Sequence, residues 1–232
     1  MYNYRQSSPR QISSMSYFEI SLIAIGYLFG SINSAILICK VLRLPSPRTI
    51  GSGNPGATNV LRLGGKGAAI ATLAGDLAKG LVPVLIAHWF GMSTLIISLV
   101  ALAAVIGHIL PIFFGFKGGK GVATLIGVMF GFHWILGLFF LTTWLIIALI
   151  TRYSSFASII ATIEAPIVVY FFFGENPSFV FIILALIVII RHKDNIQRLV
   201  AGTESKLGKK LKKKPKVKKS TVNDAQEISE KK

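Results

Sequence analysis

Three polar, glycine-rich stretches interrupt an otherwise apolar chain and hold the side chains best suited to chemistry: Gly51 to Asn59 with Arg62 just beyond, Phe116 to Thr124, and Arg191 to Arg198. Glycine lets an anion approach the backbone closely, and cations and unpaired helix N–H groups can hold it there. The chemistry implied is the binding or transfer of a phosphorylated group. Gly118-Gly-Lys-Gly121 opens an apolar helix and suits a phosphate, although the string alone also fits a flexible loop with a snorkelling lysine. It is not a P-loop, because Phe114 stands where that motif needs glycine and Gly121 follows Lys120 where it needs Ser or Thr. Asn54, Asn59 and Arg62 belong to a polar loop in which the guanidinium either clamps a phosphate bidentately or serves as a topogenic cation. His192 and Asn195 stand three apart, on one face if the last helix continues, and the imidazole suits a base, a phosphate donor or an interfacial cap.

The glycine-lysine string recurs as Gly64-Gly-Lys-Gly67, again ahead of an apolar helix, so two helix N-termini could converge on two anions. Asp76 and Lys79 stand three apart on the helix that follows and are expected to form a structural pair, since charge inside a membrane is costly unless matched. Glu164 is a lone intramembrane acid with no assigned partner, and His88 and His133 are expected to be ordinary interfacial residues.

The elements that must position these groups follow from composition. Of 232 residues, 53% are hydrophobic and 15% charged, with a mean hydropathy of +0.65, which leaves too little polar surface to coat a soluble globule. The expectation is an all-α, polytopic integral membrane protein. Cys39 is the single cysteine, which excludes an intrachain disulfide, and no metal or other cofactor is implied. The net charge of +16 lies largely in Lys206 to Lys219, which no aromatic residue interleaves. That tail reads as a topogenic segment attracted to anionic membrane lipid, and nucleic acid is not an expected partner.

Apolar stretches run through 17–39, 68–90, 93–114, 121–150 and 156–190, and a bilayer core about 30 Å thick needs about 20 helical residues. The last two are too long for one crossing and break at Gly131-Phe-His133 and Gly174-Glu-Asn-Pro177, giving seven transmembrane helices, several of them short. Connections at 40–66, 115–120 and 151–155 carry Lys or Arg, whereas those at 91–92, 131–133 and 174–177 carry neither, so the motif loops share the cytoplasmic face. Residues 1–14, with Arg5 and Arg10 on the dissenting side, read as an upstream over-extension of the reading frame ahead of a start at Met15, 15–204 as the membrane domain, and 205–232 as a basic, disordered cytoplasmic tail. No cleavable signal peptide is evident.

Together the motifs closely resemble the acyl-phosphate-dependent glycerol-3-phosphate acyltransferases of bacteria, the PlsY family. The resemblance covers roughly Gly26 to Glu204 and rests on Ser52 to Arg62, Gly107 to Thr124, Arg152-Tyr-Ser-Ser155 and Arg191 to Glu204. It implies a seven-helix enzyme of the bacterial plasma (inner) membrane that passes a fatty acyl group from acyl phosphate to the 1-hydroxyl of glycerol 3-phosphate, giving lysophosphatidic acid and inorganic phosphate at the first step of phospholipid synthesis. The long-chain acyl phosphate would come from a separate enzyme working from acyl carrier protein. Carried over by position, the resemblance makes Ser52, Arg62, Lys120, His192 and Asn195 catalytic. Substrate would meet Asn54, Asn59, Lys117, Gly118, Gly119, Gly121 and Ser155, the last preferred over Ser154 or Ser158, while Glu204 is structural. Asn33 departs from the family, where many members have proline. The His-x4-Asp pair of the other large glycerolipid acyltransferase class is missing, since Ser93, Phe113, Leu138 and Gln197 stand five beyond the four histidines.

Attack of a hydroxyl on an acyl phosphate builds negative charge on the carbonyl oxygen and on the departing phosphate, so fixed N–H groups and cations are the natural catalysts. Arg62, Lys120 and the amides of Gly118 to Gly121 suit that role. The alternative is a transporter or channel for an organic phosphate, prompted by Asn54-Pro-Gly56, but half-helix channels of that kind need a second such motif. Sidedness is open to direct test: with Tyr153→Cys and Glu175→Cys variants in intact cells, a membrane-impermeant thiol reagent should label only the latter. Labelling of the former from outside would restore a five-helix topology.

Overall fold

The structure, a computed structural model, describes residues 15–207, so the 1–14 extension and the tail from 208 lie outside the described residues. Those residues are helical without a strand: α1 Tyr17–Gly30, α2 Ser34–Val41, α3 Ala57–Trp89, α4 Thr94–Ile109, a 3₁₀ turn Ile112–Phe114, α5 Val122–Phe132, α6 Trp134–Thr151, α7 Ser154–Phe173, α8 Glu175–Ile190 and α9 Lys193–Val200. Four segments are long and apolar enough to cross a membrane, or five if α1 and α2 form one broken span; α5 and α8 are apolar but shorter.

Both long apolar runs divide where expected. His133 caps both neighbours, its Nδ1 accepting from the Ile135 N–H at 3.3 Å, and Gly174 separates α7 from α8 at φ 81°. Two expectations fail. The run 17–39 is not one straight helix but bends by 41° at Ser31 to Asn33, where the Asn33 side chain caps α2 by accepting from the Ile36 N–H. In α3 the helix starts at Ala57, eleven residues' worth of sequence ahead of the apolar stretch that begins at 68, so Asn59 and Arg62 are helical. The string Gly64 to Gly67 forms the kink in α3, with Gly65 at φ 75°. Only residues beyond that kink build the apolar helix.

Small residues set how closely the helices approach. Gly26 and Gly30 of α1 lie against the backbone of α4, and a methyl built on Gly30 would sit 2.0 Å from the Ala104 carbonyl oxygen. In a lipid phase, where burial alone does not drive helices together, such close contacts supply the packing. The core beneath is apolar, centred on Val100, Leu125, Met129, Phe140 and Phe181.

The polar loops meet at one end of the bundle. Arg48 reaches the Phe114 carbonyl, Arg62 reaches Ser205, Lys120 reaches Asn195, and the Leu207 N–H donates to the Arg152 carbonyl at 2.7 Å. Residues 205–207, expected to begin the loose tail, are therefore docked against the domain. At the other end His88 Nε2 lies 3.1 Å from the Phe132 carbonyl and Phe18 packs on Phe90. Gly30→Ala should destabilise the detergent-solubilised protein by about 1–3 kcal/mol through overpacking, read as a lower thermal unfolding midpoint. Gly67→Ala, whose added methyl meets nothing within 4 Å, should leave the midpoint level or higher.

Candidate functional site

The first loop is built around Asn59, which is buried in the first turn of α3. Its Nδ2 donates to the Pro47 and Ile50 carbonyls at 2.8 and 3.0 Å, and its Oδ1 accepts from the Ser52 N–H at 3.1 Å. Its side chain is thus spent on holding the loop rather than left open to a ligand. Ser52 is exposed, with its hydroxyl 3.4 Å from the Asn54 N–H, and Asn54 is half-buried. Arg48 pins the loop to the next one by donating to the carbonyls of Phe114 and Lys117. Lys117's side chain is exposed.

The glycine-rich loop folds back on the end of α4. The Gly118 and Gly119 N–H groups donate to the carbonyls of Ile109 and His108 at 3.1 and 3.2 Å. Those two amides, expected to face an anion, instead satisfy carbonyls that a helix end leaves unpaired. The open donors lie one step later, at the start of α5, which Gly121 enters at φ 90° without a side-chain cap. That N-terminus retains the unpaired N–H groups and positive dipole end that favour an anion.

From this loop Lys120 donates to Asn195 Oδ1. Asn195 Nδ2 donates to Glu204 Oε1 at 2.7 Å, Ser155 Oγ donates to the same oxygen at 2.8 Å, and Arg198 Nε donates to Oε2 at 2.7 Å. Burial opposes the Glu204 charge, but these three donors and the Arg198 cation outweigh it and hold the carboxyl below its ordinary range. Burial pushes the Lys120 ammonium down to about 8, with Arg198 and Arg191 adding to the effect against Glu204 and Asp194. Burial likewise pushes His192 down to about 4, Lys120 and Arg191 reinforcing it against the Val188 carbonyl and Glu204. At neutral pH the imidazole is uncharged; with Nδ1 donating to Val188 at 2.8 Å, its Nε2 is an acceptor.

One network therefore joins Lys120, Asn195 and Ser155 through Glu204, and Arg62 attaches to it at Ser205, 3.3 Å away. His192 flanks it, one turn before Asn195. The sequence assigned no role to Arg198 or Arg48. Arg198 lies within a motif and ahead of an acid, which is a usable signal, whereas nothing in the spacing marks Arg48.

This gathering of polar loops at one end of an apolar helical bundle has counterparts. Residues 20–202 match the family model described as glycerol-3-phosphate acyltransferase, and the chain belongs to that family of membrane acyltransferases. It is 56% identical over 198 residues to the glycerol-3-phosphate acyltransferases of Francisella philomiragia subsp. philomiragia and Francisella tularensis subsp. novicida, covering 85% of this chain and 97% of each relative. Its structure is similar to crystal structures of PlsY, an integral membrane glycerol 3-phosphate acyltransferase, in a glycerol 3-phosphate form (TM-score 0.78, 42% identity) and a lysophosphatidic acid form (TM-score 0.76, 41% identity). Each match covers 82% of this chain and 96% of the other. The chain is a multi-pass membrane protein.

Because Lys120 is charged only below its pKa, the ratio of wild-type to Lys120→Arg activity at limiting substrate should fall as pH rises through about 8, since a guanidinium does not titrate there. The ratio of wild-type to His192→Gln activity should stay flat between about pH 5.5 and 7.5. Taking ratios removes the titration of the substrates themselves. A step near the ordinary histidine pKa of about 6.5 would show instead that His192 exchanges the reacting proton.

Proposed function

We propose that the chain transfers a fatty acyl group from acyl phosphate to the 1-hydroxyl of glycerol 3-phosphate, forming lysophosphatidic acid and inorganic phosphate. The observation that carries this reading is the Lys120–Asn195–Glu204 network, flanked by Arg62 and by the uncapped start of α5. It gathers cations and amide donors, and the carboxylate facing the Ser155 hydroxyl is held below its ordinary range, so the network supplies no strong base. A donor whose leaving group is already phosphate needs none. That the similar PlsY crystal structures are a glycerol 3-phosphate form and a lysophosphatidic acid form supports the acceptor and the product.

In this mechanism the α5 amides and Lys120 neutralise the donor phosphate, while Arg62, Asn54 and the exposed Ser52 hydroxyl hold the acceptor phosphate. Neutral His192 and Asn195 orient glycerol 3-phosphate, leaving the proton of its 1-hydroxyl directed at a substrate phosphate. A bond forms between that oxygen and the acyl carbon as the acyl-to-phosphate C–O bond breaks, and a substrate phosphate oxygen takes the hydroxyl proton. The helices make seven crossings of the bacterial inner membrane, with this end of the bundle cytoplasmic. Acyl phosphate arrives from a separate enzyme working from acyl carrier protein.

Purified protein in detergent should make lysophosphatidic acid from labelled glycerol 3-phosphate with palmitoyl phosphate and not with palmitoyl-CoA. Equal product from both donors would overturn the donor assignment. Loss of the charge-assisted phosphate contact in Arg62→Ala should cost about 1.5–3 kcal/mol, roughly tenfold to over a hundredfold in kcat/KM for glycerol 3-phosphate. Arg62→Lys should recover only part of it, because one ammonium cannot reproduce a bidentate fork.

A further inference from the structure

Beneath the glycine-rich loop lies a second polar cluster that the proposed chemistry does not use. Asp76 and Lys79 of α3 pair at 2.9 Å with almost no exposure, and Lys79 also donates to the Ile32 carbonyl at the α1–α2 bend, 2.7 Å away. Above them His108, at the end of α4 and 5% exposed, sets its Nδ1 3.1 Å from Thr124 Oγ1 of α5 and 3.7 Å from Asp76 Oδ1. The ring nitrogen thus lies beside the carboxylate oxygen that the Lys79 ammonium contacts, at the edge of an ion pair. Three helices, α3, α4 and α5, meet at one imidazole.

The other ring nitrogen points at the loop. A methyl built on Gly119 would lie 2.2 Å from His108 Nε2 and 3.0 Å from Cε1, with the Pro55 carbonyl next at 3.2 Å. Since Thr124 holds the buried ring from its far side, it cannot swing away cheaply. Gly118 differs: its added methyl would meet the His108 backbone carbonyl at 1.9 Å, an obstacle that no side-chain change removes.

We infer that His108 is a positioning residue for the phosphate-binding loop, with Gly119 kept bare to admit the imidazole and Thr124 fixing the ring from below, beside the Asp76–Lys79 pair. The inference rests on the donor-phosphate role proposed for this loop, and it changes what Gly119 is for. Its missing side chain makes room for a histidine, and a close approach of phosphate to the backbone is not needed to explain it.

The test is a double-variant cycle on the full-length protein in detergent, with palmitoyl phosphate as donor. His108→Asn keeps a polar atom at the Nδ1 position, facing Thr124 and Asp76, and vacates the space beside Gly119. Gly119→Ala alone should raise donor KM about tenfold to a hundredfold, leave acceptor KM and kcat within about threefold, and lower the thermal midpoint. Adding His108→Asn should bring donor KM and midpoint back to the values of His108→Asn alone, whereas the same addition should not rescue Gly118→Ala. Thr124→Val should raise donor KM and Thr124→Ser should not. Simple additivity of Gly119→Ala and His108→Asn would overturn the proposal, as would equal effects of the two Thr124 variants. If the wild-type protein fails to use acyl phosphate, the proposed function falls, while the coupling in thermal midpoint still reports whether His108 and Gly119 share that space.

Discussion

A single carboxylate organises the site. Glu204 is a charge drawn partly out of water, which would be unfavourable without partners, and it is ionised because Ser155 of α7 and Asn195 and Arg198 of α9 each aim a donor at it. Its consequences spread from the Asn195 amide. With Nδ2 committed to Glu204, Asn195 Oδ1 must face the other way, and there it meets the Lys120 ammonium. One ionised group thus fixes the orientation of an amide, the amide fixes a cation, and the cation marks the mouth of α5. Partly satisfied buried networks are costly, so the arrangement is closer to all-or-none than to a sum of contacts.

The same rule governs the layer below. Asp76 and Lys79 could not remain in an apolar bundle as separate charges, and each draws a further polar group toward it: the Ile32 carbonyl at the bend and the His108 imidazole. The bend in the first span and the ion pair are therefore one solution to one problem. A straight helix would have its Ile32 carbonyl committed within its own backbone, whereas the break leaves it free for the ammonium.

How much of this could be read from the residues depended on range. Breaks at His133 and Gly174 were visible because glycine and polar residues interrupt apolar runs too long for a bilayer, and the Asp76–Lys79 pair was visible as an i, i+3 spacing. The gathering of the loops at one end was implied by where Lys and Arg fall; the side of the membrane they face is a matter of proposal. The bend at Ser31 to Asn33 was missed although a side-chain cap at Asn33 announces it. The use of the Gly118 and Gly119 amides was misread for a deeper reason. A glycine N–H has the same spacing whether it faces a ligand or the carbonyls at the end of α4, and only the path of the returning chain decides. His108 and Arg48 act through partners 16 and 66 residues along the chain, which periodicity does not encode.

The contact between Arg62 and Ser205 joins residues 143 positions apart. At synthesis rates of 5–20 residues per second, that separation corresponds to roughly 7–30 s between emergence of the first side chain and of the second. During that interval α3 to α8 are already being threaded into lipid, yet the carboxylate that orients the ammonium has not left the ribosome. The growing polypeptide consequently lacks the completed Lys120–Asn195–Glu204 network until nearly all its membrane helices have emerged, and a product truncated before α9 would occupy the bilayer without it.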